Sequence, residues 1–380
     1  MKFVIIGNGP AGVDCALEIR KNKPEADITI ISKDDYSFYY RPKLVEYITE
    51  DTAPEKLIVY KNDFFESKNI KQVLSREIQK IDRQSKAVYS ANGRFDYDKL
   101  LIATGSIPVV PDNGFSRDSV YVLRSISDAD TIKDALKLKK KILVSGGGLL
   151  GLEIANSIAL TGTDVTVAEF MPYLLSRQCD EEGGKFIEKL LRDRGMNFIF
   201  SDSALSYDGM TVEFSSGNKA SFEAVIFSAG VLPSVSLAKE SGLAVGKGIL
   251  IDSNFRTSDP DIYAAGDCAE LEGHICGLWM TAKEQGRIAG ANMSGIESAY
   301  KPVIPSTVLK IAGIDFFSAG DHKEKSNNVF RKSGEGIYIK IKYDDDIKSG
   351  IVIGSAQAAN EFRSVISGKK NLADFISKYS

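Results

Sequence analysis

The chain has 380 residues, with 48 Lys and Arg against 51 Asp and Glu and a formal net charge of −3. Its length allows two or three domains, each with its own core, and its charge balance excludes a strongly basic nucleic-acid binder. No run approaches the roughly 20 apolar residues of a membrane span.

A strand pattern begins at Lys2, which leaves no room for a signal peptide, so a cytoplasmic protein is expected. The four cysteines, Cys15, Cys179, Cys268 and Cys276, show neither C-x-x-C nor C-x4-C spacing. They suit small core residues better than a disulfide framework. With only His274 and His322 besides, no metal site is expected.

Residues 3–6 are apolar and mostly β-branched, the pattern of a buried parallel strand. Gly7, Gly9 and Gly12 follow at the G-x-G-x-x-G spacing, with Pro10 and Ala11 between them. A helix pattern then runs to about residue 20. The glycines permit a tight turn, close approach of a pyrophosphate and helix–strand packing. The free amides and dipole at the helix start favour the phosphates' negative charge.

Residues 28–31 read as the next strand. A dinucleotide fold normally ends this strand in an acid that binds ribose, but here Ser32 and Lys33 follow. Three readings stand: a neighbour takes the contact, Lys33 lies near phosphate, or the turn is simply solvated. Residues 38–44 are dense in aromatic, basic and Pro residues. Pro42 favours an extended Arg41, and a ligand-lining loop fits better than a helix; aromatic packing over the first sheet is the alternative. Around the turns at 82–86 and Asn92-Gly93, β-rich pieces form a hairpin-like insertion. A strand at 100–103 ends at Thr104-Gly105, and the proline-rich stretch beyond it reads as the first domain crossing.

The pattern then repeats. A strand at 142–144 leads to Gly146, Gly148 and Gly151, a helix over 149–159 and a strand over 164–168 ending at Glu169. Glu169 stands about 20 residues past the glycines, the spacing of an acid that binds both ribose hydroxyls. A carboxylate there repels the extra phosphate of NADPH, so NADH is the expected ligand. Further on, an apolar strand at 262–264 delivers Gly266 and Asp267 at its carboxyl end, where open sheets bind ligands. Asp267 could also cap the following helix, which runs from Trp279 to about residue 290. From residue 300 onward, short strands and two helices suggest a small α+β domain.

Together these pieces resemble the FAD-dependent pyridine nucleotide oxidoreductases with a glutathione-reductase-like core. The resemblance implies an α/β fold with two Rossmann-like, three-layer nucleotide-binding domains and a small C-terminal α+β domain. The implied FAD-binding domain is 1–112 with 240–300, the NADH-binding domain 113–239 and the C-terminal domain 301–380.

By resemblance, Gly7, Gly9, Pro10, Ala11 and Gly12 hold the FAD pyrophosphate, with Arg41 and Pro42 beside it. Ile78 falls where backbone meets the adenine, and Thr104 and Gly105 border the FAD. Gly266 and Asp267 meet its ribityl-phosphate region, and Trp279 lies near the flavin pyrimidine edge. Gly146, Gly148, Gly151 and Glu169 bind NADH, and Glu153 lies near the nicotinamide path.

Residues 38–44 and 279–290 look most like the branch that reduces rubredoxin or ferredoxin-type iron proteins. The family's disulfide reductases need a cysteine pair that this sequence lacks, so the implied route runs directly from flavin to acceptor, with no catalytic nucleophile. The implied partner of a monomeric enzyme is a small acidic redox protein, rubredoxin first, steered by basic residues at 39–43 and 323–325. A thiol-independent NADH oxidase and an NADH-responsive flavoprotein interaction module are the alternatives.

Overall fold

The computed structural model describes residues 1–380 apart from 112–113, 116–118, 276, 301–303, 305 and 335. Cys276, the 112/113 domain crossing and the start of the strand expected at 303–309 therefore lie outside the described residues. The chain divides into two compact units. The first is Met1–Leu44, Thr52–Ile107 and Val231–Lys301; the second is Val45–Asp51, Pro108–Gly230 and Pro302–Ser380.

The first unit is built on a parallel sheet in the order Ile262–Ala264, Lys99–Ile102, Lys2–Ile6, Asp27–Ile31, Ile70–Val73. The fingerprint strand Lys2–Ile6 is central and pairs in register with both neighbours, Ile5 opposite Ile30 and Leu101. Covered on both faces, it is apolar and buried after the exposed Lys2: Phe3 and Ile5 face one core and Val4 and Ile6 the other. Helix Pro10–Asn22 lies against it, and helix Trp279–Met293 packs on that helix. The insertion is an antiparallel sheet of Ile78–Asp82, Ala87–Ser90 and Gly93–Asp96.

The second unit repeats the plan. Its parallel sheet runs Asn197–Phe200, Asp164–Glu169, Lys141–Ser145, Ala224–Phe227, Val120–Val122. Here too the strand before the glycines is central. Helix Ile126–Leu138 starts in a capping box: Ser125 accepts from the Asp128 N–H, and Asp128 accepts from the Ser125 N–H. Among the strands that escaped the sequence reading are Ala204–Tyr207 and Lys219–Ser221. Both are short and depend on pairing with Thr211–Phe214.

The C-terminal part of this unit is a five-stranded antiparallel sheet followed by helices Ala356–Ile366 and Leu372–Tyr379. Phe362 fills the space above Gly350, where a Cβ would come 2.1 Å from its ring.

Two expectations are corrected. Residues 38–44 are not wholly a loop: Arg41–Lys43 form a 3-10 turn that runs into helix Leu44–Tyr47. Pro42 sits in the first turn, where its missing N–H is no loss, so Arg41 is helical rather than extended. Asp267 does not cap the following helix. Strand Ala269–Leu271 intervenes, and the helix starts after Leu278 without a side-chain cap.

Candidate functional site

The first site is a cradle at the end of the central strand. Gly7 has φ +117°, and a Cβ there would stand 2.1 Å from the Ala103 carbonyl oxygen. A Cβ on Gly12 would stand 2.0 Å from the Gly7 carbonyl oxygen. These two glycines are therefore required by packing. Gly9 differs, because a Cβ there would meet nothing within 4 Å. Gly9 is also the N-cap of helix Pro10–Asn22, where no side chain caps the amides. The first turn thus presents uncapped donors to open space, the arrangement that takes a phosphate.

Other elements converge here. The Thr104 hydroxyl donates to the Ser234 carbonyl at 2.9 Å, fixing the turn at Gly105. The Gly266 N–H donates to the buried Gln285 side chain at 2.8 Å, and a Cβ on Gly266 would stand 3.2 Å from that of Ala11. Asp267 is oriented by the Ser106 hydroxyl at 2.9 Å.

Arg41 has one Nη 3.3 Å from Asp34 and 3.4 Å from the Tyr39 hydroxyl. Burial works against its charge, yet Tyr39, Asp34 and Asp267 together raise its pKa. Its Nε is buried without a hydrogen-bond partner, an orphaned donor that suits an anionic group. Trp279 stacks on Phe38, with centroids 5.6 Å apart, and meets the edge of Tyr40 at 5.1 Å. Pro42 is exposed. Ile78 belongs to the core with Ile31, so only its backbone is offered to a ligand.

Ser32 is buried, and its hydroxyl accepts from the Asp34 N–H at 3.1 Å. This excludes a simply solvated turn at Ser32, while Lys33 is exposed.

The sequence reading missed Asn8, Gln72, Ser37 and Ser106. Gln72 donates to Asn8 at 3.1 Å and accepts from the Ser37 hydroxyl at 3.0 Å, which links the cradle to strand Ile70–Val73. Asn8 is a variable position of the fingerprint and Ser106 directly follows Thr104-Gly105, but neither carries a spacing signal of its own.

The second cradle repeats the first. Gly146 has φ +123°, with the Ser228 carbonyl oxygen 2.3 Å from a would-be Cβ. Gly151 meets the Gly146 carbonyl in the same way at 1.9 Å, and Gly148 again faces open space. Glu169 is held at both oxygens, by the Gly147 N–H at 2.6 Å and the Met171 N–H at 2.8 Å. Its carboxylate is thus fixed at the cradle's rim. Glu153 lies in helix Leu149–Ala159, where burial first and the charge of Glu46 second push its carboxyl up to about 7.

The model of the pyridine nucleotide-disulphide oxidoreductases matches residues 1–286. The chain belongs to this family. Residues 305–370 match the rubredoxin NAD+ reductase C-terminal domain, so this pyridine nucleotide-disulphide oxidoreductase carries a distinct C-terminal domain.

It is 35% identical over 376 residues to the NADH-rubredoxin oxidoreductase of Clostridium acetobutylicum, covering 97% of this chain and 95% of that protein. The crystal structure of NADH:rubredoxin oxidoreductase from that organism superposes with a TM-score of 0.84 at 33% identity, covering 99% of both chains. A nitrite reductase of Bacillus subtilis is 33% identical over 386 residues; 98% of this chain spans 48% of that relative.

The family name includes a disulphide, but Cys15, Cys179 and Cys268 are all free and buried. Burial raises the pKa of each, which holds them as unreactive thiols. Among the described residues no group of His, Cys, Asp and Glu could hold a metal, and no helix is long and apolar enough to cross a membrane.

Proposed function

We propose that this enzyme passes electrons from NADH, through FAD, to a small acidic iron protein, with rubredoxin the preferred acceptor. The observation that carries this reading is the pair of open cradles at Gly9 and Gly148 in a chain without a redox cysteine pair. Two dinucleotides fit such cradles, and a thiol relay does not fit the cysteines. The likeness to the Clostridium NADH-rubredoxin oxidoreductase along nearly the whole of both chains supports the choice of acceptor.

In this reading residues 1–112 with 240–300 bind FAD, 113–239 bind NADH and 301–380 form the C-terminal domain. FAD, when bound, supplies the conversion of a hydride into single electrons. The protein binds and orients. The amides beyond Gly9 and the Arg41 guanidinium meet the phosphates, Asp267 accepts from ribityl hydroxyls, and Trp279 flanks the flavin. Gly7, Pro10, Ala11, Gly12, Pro42, Ile78, Thr104, Gly105 and Gly266 shape the same site. At the second cradle Gly146, Gly148 and Gly151 receive the NADH pyrophosphate, Glu169 its ribose and Glu153 the nicotinamide side. No side-chain acid or base is required for hydride transfer, so positioning and exclusion of water are the protein's contribution.

Lys43 in the first unit and Lys323 and Lys325 in the second are exposed and supply positive charge for an acidic partner. Steering of this kind raises the association rate and weakens with salt. The test is anaerobic kcat/KM for purified rubredoxin, ferredoxin and flavodoxin across a salt series. A strong rubredoxin preference that declines with salt is expected. Equal turnover of all three, or oxygen outcompeting rubredoxin, would overturn the assignment. Slow turnover of every acceptor, with a large redox-dependent change in partner affinity, would mark an interaction module instead.

A further inference from the structure

Helix Leu149–Ala159, which starts at the second cradle, carries Glu153 and Ser157 one turn apart on one face. Residues Val45–Asp51 belong to the same unit and cover that face. The Ser157 hydroxyl donates to the Val45 carbonyl at 2.9 Å and lies 2.7 Å from the Thr49 hydroxyl. The Tyr47 hydroxyl donates to Asp130 at 2.6 Å, and the Lys133 ammonium lies 4.4 Å from the centre of the Tyr47 ring. The strap is therefore anchored on both sides of Glu46. Glu46 stands one turn before Thr49, whose N–H donates to its carbonyl at 3.1 Å.

This docking brings the charge of Glu46 to bear on Glu153, whose carboxyl is pushed up to about 7 by burial first and by Glu46 second. The strap also carries Glu50 and Asp51, the adjoining strands Lys141, Asp164 and Glu169, and strand Ser306–Ile311 Lys310. Helix Ile126–Leu138, which holds Tyr47, adds Asp130 and Lys133, and among the described residues Glu46 is the one whose charge acts on Glu153.

The nicotinamide ring is a cation in NAD+ and neutral in NADH. Glu153 lies five residues beyond Gly148, about 7.5 Å along the helix, within reach of a nicotinamide whose pyrophosphate occupies the cradle. We propose that the Glu46–Glu153 pair decides which redox form of the dinucleotide the second site holds more tightly. With Glu153 protonated the site favours the neutral ring of NADH. With Glu153 ionised it retains the cationic ring of NAD+ and slows product release. The inference rests on reading the second cradle as the dinucleotide site.

Anaerobic isothermal calorimetry from pH 6 to 8, in buffers of different ionisation enthalpy, tests it, with NAD+ titrated into the oxidised holoenzyme and NADH into holoenzyme whose flavin has been reduced beforehand so that no hydride transfer follows. An opposite charge nearby typically lowers a carboxyl pKa by about one unit or more, so NAD+ affinity should rise about tenfold across this range. Proton release should accompany NAD+ binding near pH 7, and NADH affinity should not rise.

Glu153→Gln should abolish both effects. Glu46→Gln should move the midpoint to lower pH, and Glu46→Lys should move it further. A flat NAD+/NADH affinity ratio in the unaltered protein would overturn the inference. So would undiminished pH dependence in Glu153→Gln, or an unmoved midpoint in Glu46→Gln. Failure of both nucleotides to bind at any pH would instead overturn the dinucleotide reading beneath it.

Discussion

Gly286 lies so close to Ala11 that a Cβ on it would stand 2.1 Å from the Ala11 carbonyl oxygen. One turn on, Gly290 faces the Cys15 carbonyl in the same way, at 2.6 Å. Two small residues thus let helix Trp279–Met293 press against the helix that begins at the first cradle. Gly286→Ala should destabilise the protein by about 1–3 kcal/mol through overpacking, despite the better helix propensity of Ala. Gly277→Ala, where a Cβ meets nothing within 4 Å, should be near neutral. Urea unfolding of both variants checks this.

FAD should copurify as a tightly held group, giving a yellow protein with one FAD per chain. A colourless protein that binds no FAD would sink the cofactor assignment. Gly9→Val should fold, because its site is open and its backbone extended, yet lose flavin to the intruding side chain. Circular dichroism together with the flavin spectrum separates these effects. Gly12→Val should fail at the earlier stage of folding.

NADH should reduce the flavin more efficiently than NADPH, because Glu169 is fixed by two backbone amides and cannot turn away from a 2′-phosphate. Stopped-flow reduction by each nucleotide measures the preference. Glu169→Ala should erode it by about tenfold, the equivalent of 1.4 kcal/mol. Equal or better efficiency with NADPH in the unaltered enzyme would refute the assignment.

Replacing Cys15, Cys179, Cys268 and Cys276 together with alanine should leave flavin reduction and acceptor turnover in place in protein that folds. Selective loss of acceptor turnover in a folded, FAD-loaded variant would reveal a thiol step.

Stability should decline in acid through the ties between the C-terminal sheet and helix Glu181–Arg192. His322 shares a hydrogen bond of 2.7 Å with Ser318, and burial pushes its pKa down to about 4. Asp180 caps the helix and pairs with Lys340 at 2.5 Å. Burial opposes its charge, but Lys340 and the Gly183 N–H hold its carboxyl below the usual range. Both folded pKa values lie below the unfolded ones, so both contributions are lost as pH falls. For His322 the loss runs from about 6.5 down to its folded value. His322→Gln should flatten the decline in thermal midpoint between pH 6.5 and 4. Glu153, with its raised value, acts in the opposite sense and loses its contribution as pH rises toward 7.

The sequence alone disclosed both cradles, because a strand–glycine–helix junction is local. The spacing of Gly7, Gly9 and Gly12, like that of Gly146, Gly148 and Gly151, is read along fewer than two helical turns. Glu169 was equally legible, since one strand–helix–strand unit sets its distance from the glycines. The family was legible for the same reason: it rests on local motifs.

Tertiary structure decided what depends on residues far apart in the chain. It separated Gly7 and Gly12, which neighbouring backbone requires, from Gly9 and Gly148, which face open space. It gave Asp267 to Ser106 rather than to a helix cap, because strand Ala269–Leu271 comes between. It turned Arg41 into a 3-10 conformation, because Pro42 starts a turn as readily as it extends its predecessor. Above all it brought Glu46 to Glu153, more than a hundred positions on. Neither position carries a local pattern, and their coupling follows from the docking of Val45–Asp51 on Ser157. Local geometry fixes a spacing, but long-range packing determines which charges share a dielectric and therefore a proton.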